Sequence, residues 1–420
     1  MSITRPRGTN DFLPPETSKW QIVEAMLRQI CYEFGYGEIR TPIFEDTELF
    51  ARGVGSTTDI VQKEMYTFAD QGDRSLTLRP ENTAGVVRAY IENKLAAQTQ
   101  PVKMFYIGPM FRYERPQAGR FRQFHQFGIE LFGSSSPFAD AEVIGLAWEF
   151  YNRLGIRGLE LHINSVGCPN CRPGYRTALQ NFIKPRYDEL CDSCKTRFDK
   201  NPLRILDCKS PVCREICEGA PAMAENLCQD CAEHFAAVQK ALDAAGIPYQ
   251  IDHNLVRGLD YYTKTAFEIL ASGIGAQSAV CGGGRYDGLA EELGAVPTPG
   301  VGFALGMERI FTVLAAQGED IEVSDYIDVY IATTPGGSGV TEAAFALNMD
   351  LRRAGIRSEQ DLIGRSMKAQ FKYADKVGAR YVIIIGEEEL ANGQAQLRDM
   401  QDSSQSLLSI NEIRKYLLER

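Results

Sequence analysis

Arg112, Glu114, Arg115, Arg120 and Arg122 lie between two apolar, aromatic runs in the segment VKMFYIGPMFRYERPQAGRFRQFHQFGIELFG, residues 102–133. The pattern reads as strand, basic loop, strand. In the second strand, alternation puts Phe127, Ile129 and Leu131 on one face and Arg122, Gln126, Gly128 and Glu130 on the other. The polar face offers a carboxylate, an amide and a guanidinium around a glycine, beside fixed positive charge. Such a floor suits a small polar ligand bearing phosphate. The plainer alternative is an exposed hairpin with a solvated charged loop.

Three further polar clusters accompany this one: Glu81/Thr83, Arg257 to Tyr262, and Arg285 to Arg309. Arginine beside an apolar strand is costly to bury unless an anion pairs with it. Arg112, Arg257 and Arg309 all sit in such contexts, and their convergence would hold a polyphosphate through bidentate contacts. The competing reading is a set of structural salt bridges with the 55 acidic residues. Gly300, Gly302 and Gly306 do not fit a strand-to-helix G-x-G-x-x-G spacing, and no G-x-x-x-x-G-K-[ST] run occurs. A nucleotide would therefore lie on an antiparallel sheet, where small residues let a flat base approach the backbone.

Nine of the 11 cysteines fall between Cys168 and Cys231. Cys168/Cys171, Cys191/Cys194 and Cys228/Cys231 form C-x-x-C pairs, joined by Cys208, Cys213 and Cys217. Two such pairs suit a tetrahedral structural zinc. Cys191, Cys194, Cys228 and Cys231 are the best candidate ligands, with cysteines enough for a second site. Nine reduced thiols without metal are the alternative.

The chain has 420 residues, 44% hydrophobic and 24% charged, the profile of a soluble globular protein of two or three domains. The polar, proline-containing start MSITRPRGTNDFLPPE does not resemble a signal peptide, and the apolar run Tyr381–Ile385 is too short to span a bilayer. The expected location is cytoplasmic, where clustered cysteines bind metal more often than they form disulfides. The net charge of −10 argues weakly against nucleic-acid binding but does not exclude a local basic surface.

The elements that must position these groups follow from periodicity. An amphipathic helix runs from Trp20 to about Phe34, closed by Gly35 and Gly37, with a strand at Glu38–Arg40 and Pro42 at its end. A helix begins around Arg79–Gly85, with Pro80 in its first turn and Glu81 at the positive end of its dipole. Residues 166–250 form a Cys-rich, helical insertion. Strands resume over Leu255–Leu270 and Ala276–Cys281, Gly282–Gly284 form a turn, and Gly300–Arg309 is a glycine-spaced strand passing into a helix. Beyond a charged linker, strands at Asp328–Ala332 and Tyr381–Ile385 alternate with helices at Val340–Ala354, Met367–Val377 and Ile410–Leu418, which suggests a small, largely parallel α/β domain. The expected division is 1–325 with the insertion at 166–250, and 326–420.

Five stretches resemble the class II aminoacyl-tRNA synthetases, in their histidyl form. FRYERPQAGRFRQFHQFGIELFG resembles motif 2, GVGFALGMERI motif 3, and IRTPIFEDTELF motif 1. LVRGLDYYTKTAFEI and CGGGRYDGL are similar to the two histidyl-specific stretches, and RPENTAG to the loop that helps hold the amino acid. Motifs 1 and 3 alone are weak signals. The combination of RPENTAG, RGLDYY and GGGRYDGL is highly specific, and the resemblance covers essentially the whole chain.

The resemblance implies an α+β fold: an antiparallel sheet flanked by helices, the insertion, and a C-terminal α/β anticodon-binding domain. It implies a homodimer with motif 1 at the interface. It also implies ATP with Mg2+, L-histidine and tRNA(His) as reactants, and a histidyl-adenylate intermediate. Arg112 matches the arginine on the α-phosphate and Arg257 the histidyl-specific arginine opposite it. Each would be worth on the order of 2–4 kcal/mol of transition-state stabilisation. Glu114, Arg120, Gln126 and Arg309 match ATP contacts. Glu81, Thr83, Gln126, Glu130, Tyr261 and Tyr262 match the histidine pocket, with Glu130 accepting from one imidazole nitrogen, a tyrosine hydroxyl meeting the other, and Glu81 suited to the ammonium. Arg115 and Gln117 match positions near the extra guanosine of tRNA(His). Two other readings are a non-catalytic regulatory paralogue of ATP phosphoribosyltransferase, which generally lacks the catalytic arginines and the C-terminal domain, and a zinc-ribbon nucleic-acid-binding protein, which leaves the sheet motifs idle.

Overall fold

The computed structural model describes residues 3–55, 58–116, 119–208, 210–256, 259, 261–274, 278–323, 326–334 and 339–419. The chain forms two compact units, the larger containing Trp20–Ile321 and the smaller Glu322–Arg420.

The larger unit is built on an eight-stranded sheet. Its strands lie in the order Gly37–Glu38, Val102–Phe111, Gln123–Phe132, Gly300–Gly306, Ala279–Arg285, Thr263–Ala271, Leu159–Ser165 and Gln250–Ile251. The six central strands are antiparallel, while the two-residue strand at each edge pairs parallel to its neighbour. Alternation along these strands sorts the faces. Phe127, Ile129, Leu131, Phe267, Ile269, Val301, Phe303 and Leu305 pack under the helices Glu16–Glu33, Pro137–Arg153, Gln229–Ala244 and Met307–Ala316. The opposite face is also covered. Val86, Val87 and Tyr90 of the helix Thr83–Glu92 pack with Tyr106, Tyr261, Tyr262 and Tyr286.

Several expected elements are corrected. The Arg79–Gly85 helix starts later, at Thr83, and Pro80 precedes it. Arg79 is the reason: its Nε donates to Pro109 O at 2.9 Å and its terminal nitrogen to Thr41 Oγ1 at 3.0 Å, tying the segment to its neighbours before it can coil. The Glu38–Arg40 strand shortens to Gly37–Glu38. Strand structure begins at Thr263 instead of Leu255. Gly282–Gly284 are not a turn but lie within the strand Ala279–Arg285, paired on both sides. A Cβ on Gly283 would stand 2.3 Å from Gly302 O and 2.5 Å from the Phe303 Cβ, so the missing side chain lets adjacent strands close up. A three-stranded antiparallel sheet of Phe44–Asp46, Tyr66–Ala69 and Ser75–Leu78 was not expected.

From Arg172 to Ala244 the chain is helical, with its own core of Tyr175, Leu179, Ile183, Cys194, Ile205 and Ile216. The smaller unit has a five-stranded sheet in the order Ser358–Gln360, Val329–Thr333, Tyr381–Ile385, Gln394–Asp399 and Gln405–Ser409. Its first three strands are parallel and its last two antiparallel. The sheet is therefore mixed where a largely parallel one was expected. The last two strands form a hairpin, Gln394–Asp399 alternating buried and half-buried residues and Gln405–Ser409 largely exposed, a weaker signal than the apolar run Tyr381–Ile385.

Candidate functional site

A cleft of about 390 Å³ opens on the polar face of the large sheet. Glu81, Thr83, Arg112, Glu114, Arg120, Gln126, Glu130, Tyr261, Tyr262 and Arg309 all line it. Arg115 is exposed in the loop and is not part of the lining. Arg257 and Gln117 lie outside the described residues.

At one end of the cleft, Glu81 and Glu130 are buried, 3% and 1% exposed. Glu81 sits just before the helix Thr83–Glu92, and its two oxygens accept the backbone N–H groups of Thr83 at 2.8 Å and Ala84 at 3.0 Å. The helix-end role is thus real, and it orients a carboxylate into the cleft. Glu130 comes from mid-strand. One oxygen accepts from Thr83 Oγ1 at 2.7 Å, and the other accepts from the Tyr286 hydroxyl. Both oxygens are thus already bonded to hydroxyls, so any ligand contact would use the remaining lone pairs. Burial pushes the Glu130 carboxyl up to about 8, against the pull of the Tyr286 and Thr83 hydroxyls, and the nearby Glu81 adds to the rise. Burial also raises Glu81, opposed by the two N–H donors. Two buried carboxylates that both resist ionisation make a pocket that a cationic ligand stabilises. Burial holds the hydroxyls of Tyr261 and Tyr286 protonated, well above their usual range, so both remain donors. Gln126 presents a buried Oε1 that lacks a hydrogen-bond partner among the described residues.

The other end is cationic. Arg112 Nε donates to Pro80 O at 2.8 Å, and its guanidinium lies 5.2 Å from the Phe124 ring centroid. Glu114 stands between two arginines, 3.0 Å from Arg120 and 3.9 Å from Arg112. Arg309 enters from the helix Met307–Ala316 and donates to Ala279 O at 2.6 Å. Burial, and then repulsion from Arg120, lowers its pKa against the opposing pull of Glu268 and Glu114. Arg122 does not join this face. It precedes the strand and stacks over Tyr113, 4.1 Å from the ring centroid.

Two glycines bear on the shape of the cleft. Gly302 pairs with Glu130 across the sheet, and a Cβ there would lie 2.0 Å from the carboxylate. Its absence houses Glu130 and does not admit a base, contrary to the expectation from sequence. Gly306, which also lines the cleft, faces open space and does leave room for a flat group.

Sequence reasoning does not reach Tyr286, which lies within GGGRYDGL, or Glu268, which lines the cleft from a neighbouring strand. It also missed Glu308, which accepts the His125 backbone N–H at 2.8 Å and fixes the start of the Met307–Ala316 helix to the Gln123–Phe132 strand. Arg285 proves structural: fully buried, it donates to Asp140, to Asp287 at 3.0 Å and to Ser134 O at 2.8 Å. Burial opposes its charge, but the two carboxylates outweigh it.

The expected zinc ligand set is corrected. Cys191/Cys194 and Cys228/Cys231 do not meet. The thiols gather as Cys168, Cys171, Cys228 and Cys231, and as Cys191, Cys194, Cys208 and Cys213, each group within 4.8 Å. Cys217 is in neither group.

A predominantly antiparallel sheet flanked by helices, with a helical insertion and a separate C-terminal α/β unit, is the architecture of a class II synthetase. A sequence model of the histidyl-tRNA synthetase family matches residues 8–170 and 214–310, and an anticodon-binding domain model matches 328–420. The histidine–tRNA ligase of Desulforamulus reducens is 59% identical over 100% of both chains. That of Pelotomaculum thermopropionicum is 58% identical over 100% of this chain and 98% of its own. The crystal structure of apo Staphylococcus aureus histidyl-tRNA synthetase superposes with a TM-score of 0.85 at 39% identity, covering 99% of this chain and 100% of that one. The chain belongs to the histidyl-tRNA synthetase family.

Proposed function

We propose that the protein is an ATP-dependent histidine–tRNA ligase. The observation that carries this reading is one cleft with buried carboxylates at one end and guanidiniums at the other. In the first step the histidine carboxylate attacks the α-phosphorus of ATP. The bond to the β-phosphate breaks, giving histidyl-adenylate and pyrophosphate. In the second, the 3′-terminal ribose hydroxyl of tRNA(His) takes the acyl group and AMP leaves. ATP enters as its magnesium complex.

Glu81 takes the ligand's ammonium. Gln126, Glu130, Tyr261 and Tyr262, with Thr83 orienting Glu130, take the imidazole end. An apolar isostere there leaves buried polar groups unpaired and is rejected strongly. Arg112 stabilises charge on the pentacoordinate phosphorus from a fixed position, and Arg257 supplies the second positive charge there. Arg309, Arg120, Glu114 and Gln126 hold the rest of ATP. Arg115 and Gln117 approach the tRNA acceptor end, and the C-terminal unit reads the anticodon.

The protein works in the cytoplasm as a homodimer; no helix among the described residues is long and apolar enough to cross a membrane. Exposed Ile43, Phe44 and Phe68 in and beside the three-stranded sheet supply an apolar face near motif 1 for the second copy. A regulatory, non-catalytic role is disfavoured by full-length relatives bearing the ligase name and by the retained arginines. Histidine-dependent exchange of pyrophosphate into ATP tests the reading. Exchange is expected, and it is expected to collapse in Arg257→Ala. Well-folded protein without exchange would refute the ligase assignment.

A further inference from the structure

We propose that the helical insertion holds two zinc ions, one bound by Cys168, Cys171, Cys228 and Cys231 and the other by Cys191, Cys194, Cys208 and Cys213. A tetrahedral ion with zinc–sulfur bonds of about 2.3 Å sets its sulfurs about 3.8 Å apart. In the first group, Cys168 Sγ lies 3.6 Å from Cys171 Sγ and 3.8 Å from Cys228 Sγ. In the second, Cys191 Sγ lies 3.8 Å from Cys208 Sγ. These separations are far too long for disulfides and match thiolates around one ion. Four sulfurs within 4.8 Å leave space for a single metal centre and none for a multi-iron cluster.

The surroundings favour thiolate. Each site binds a dication and releases four thiol protons, which leaves net negative charge on the sulfurs. The Cys228 N–H donates to Cys171 Sγ at 3.1 Å and the Cys191 N–H to Cys213 Sγ at 3.4 Å. In the first site, Cys171 and Cys228 stand at the N-terminal ends of the helices Arg172–Ile183 and Gln229–Ala244, whose dipoles both favour negative charge there. Neither site keeps an open ligand position, so both are structural.

The two sites have different duties. The first fastens the start of the helical excursion, at Arg172, to the start of its last helix, Gln229–Ala244, since Cys171 and Cys228 immediately precede those two helices. The second lies wholly inside the excursion, in the stretch 171–213 that the family model does not match. There it supplements a small core that shares Cys194, Cys208 and Cys213 with Tyr175, Leu179 and Ile205. Small cores are the ones that need such staples.

The test is elemental analysis and zinc X-ray absorption on the purified full chain. Two zinc per chain with four sulfurs at about 2.3 Å supports the proposal. One zinc, none after exposure to zinc, iron in its place, or a thiol titration showing disulfides would each overturn it. Cys171→Ser and Cys194→Ser should each lower the count to one, and Cys31→Ser should keep two. Should a variant not fold, the wild-type count and coordination still decide. The count is read without any aminoacylation assay, so its failure and that of the ligase reading are separable.

Discussion

Thr83 donates its hydroxyl to Glu130 at 2.7 Å, joining the first residue of a helix to the middle of a strand 47 residues away. Tyr286 engages the other oxygen from beyond the end of a third element, the strand Ala279–Arg285. A carboxylate in this cage neither swings nor exchanges with solvent. Its position is set before any ligand arrives, which is the condition for selective recognition.

Glu130 should make the protein's stability depend on pH. Its folded pKa of about 8 lies above the ordinary carboxyl value. The native state therefore keeps a proton that the unfolded chain has released. The contribution is fully present below the unfolded carboxyl pKa of about 4.3 and is lost as pH rises towards the folded value. The difference in urea midpoint between wild type and Glu130→Gln should turn against wild type as pH rises through this window and level off above it. A difference independent of pH would contradict the assignment.

Arg112→Lys should separate charge from geometry. The lysine keeps a cation but loses the planar fork, so pyrophosphate exchange should fall by about 10²- to 10³-fold in kcat/KM. The thermal midpoint should stay near that of wild type, because Arg112 lines the cleft and is not in the core. Unchanged exchange kinetics would remove Arg112 from the catalytic set.

Gly302→Ala should cost stability as well as activity. Its Cβ would press to 2.0 Å from the Glu130 carboxylate and 2.3 Å from Ile129 O, and the backbone oxygen cannot move aside cheaply. A loss of about 1–3 kcal/mol is expected in urea unfolding. A neutral substitution would mean that Glu130 does not occupy this space.

Arg285→Met should destabilise the fold by about 3–5 kcal/mol, because it leaves the fully buried Asp140 without its main counter-charge. Asp140→Asn combined with Arg285→Met should recover part of that loss in the same denaturation experiment. Additive losses would show that the two side chains are not coupled.

Arg172 donates to the backbone carbonyl of Tyr262, linking the start of the insertion to the cleft wall. Arg172→Ala should raise the KM for histidine several-fold in the exchange assay while leaving that for ATP close to wild type. Equal changes in both would place Tyr262 outside the amino-acid end.

Much of the site was legible because strand alternation is rigid. Once Phe127, Ile129 and Leu131 were read as core, Gln126 and Glu130 had to share the other face. Arg309 could be placed at a strand-to-helix junction from its glycine-spaced approach. Tyr286 and Glu268 were not legible. Each enters the cleft through the lateral order of strands, which local periodicity does not encode. The Gly282–Gly284 run misleads for a similar reason: three glycines look like a turn until Phe267 and Phe303, beside Gly283, show why a side chain must be missing there.

By itself the amino-acid order determined the family motifs, the helical insertion, the α/β character of the C-terminal region and the opposite faces taken by Phe127, Ile129 and Leu131 and by Gln126 and Glu130. Those follow from short-range periodicity and residue chemistry. Which cysteine meets which, and which hydroxyls grip Glu130, were decided only by tertiary structure. Cys171 and Cys228 are 57 residues apart, and nothing local distinguishes that pairing from any other until the helices between them have packed.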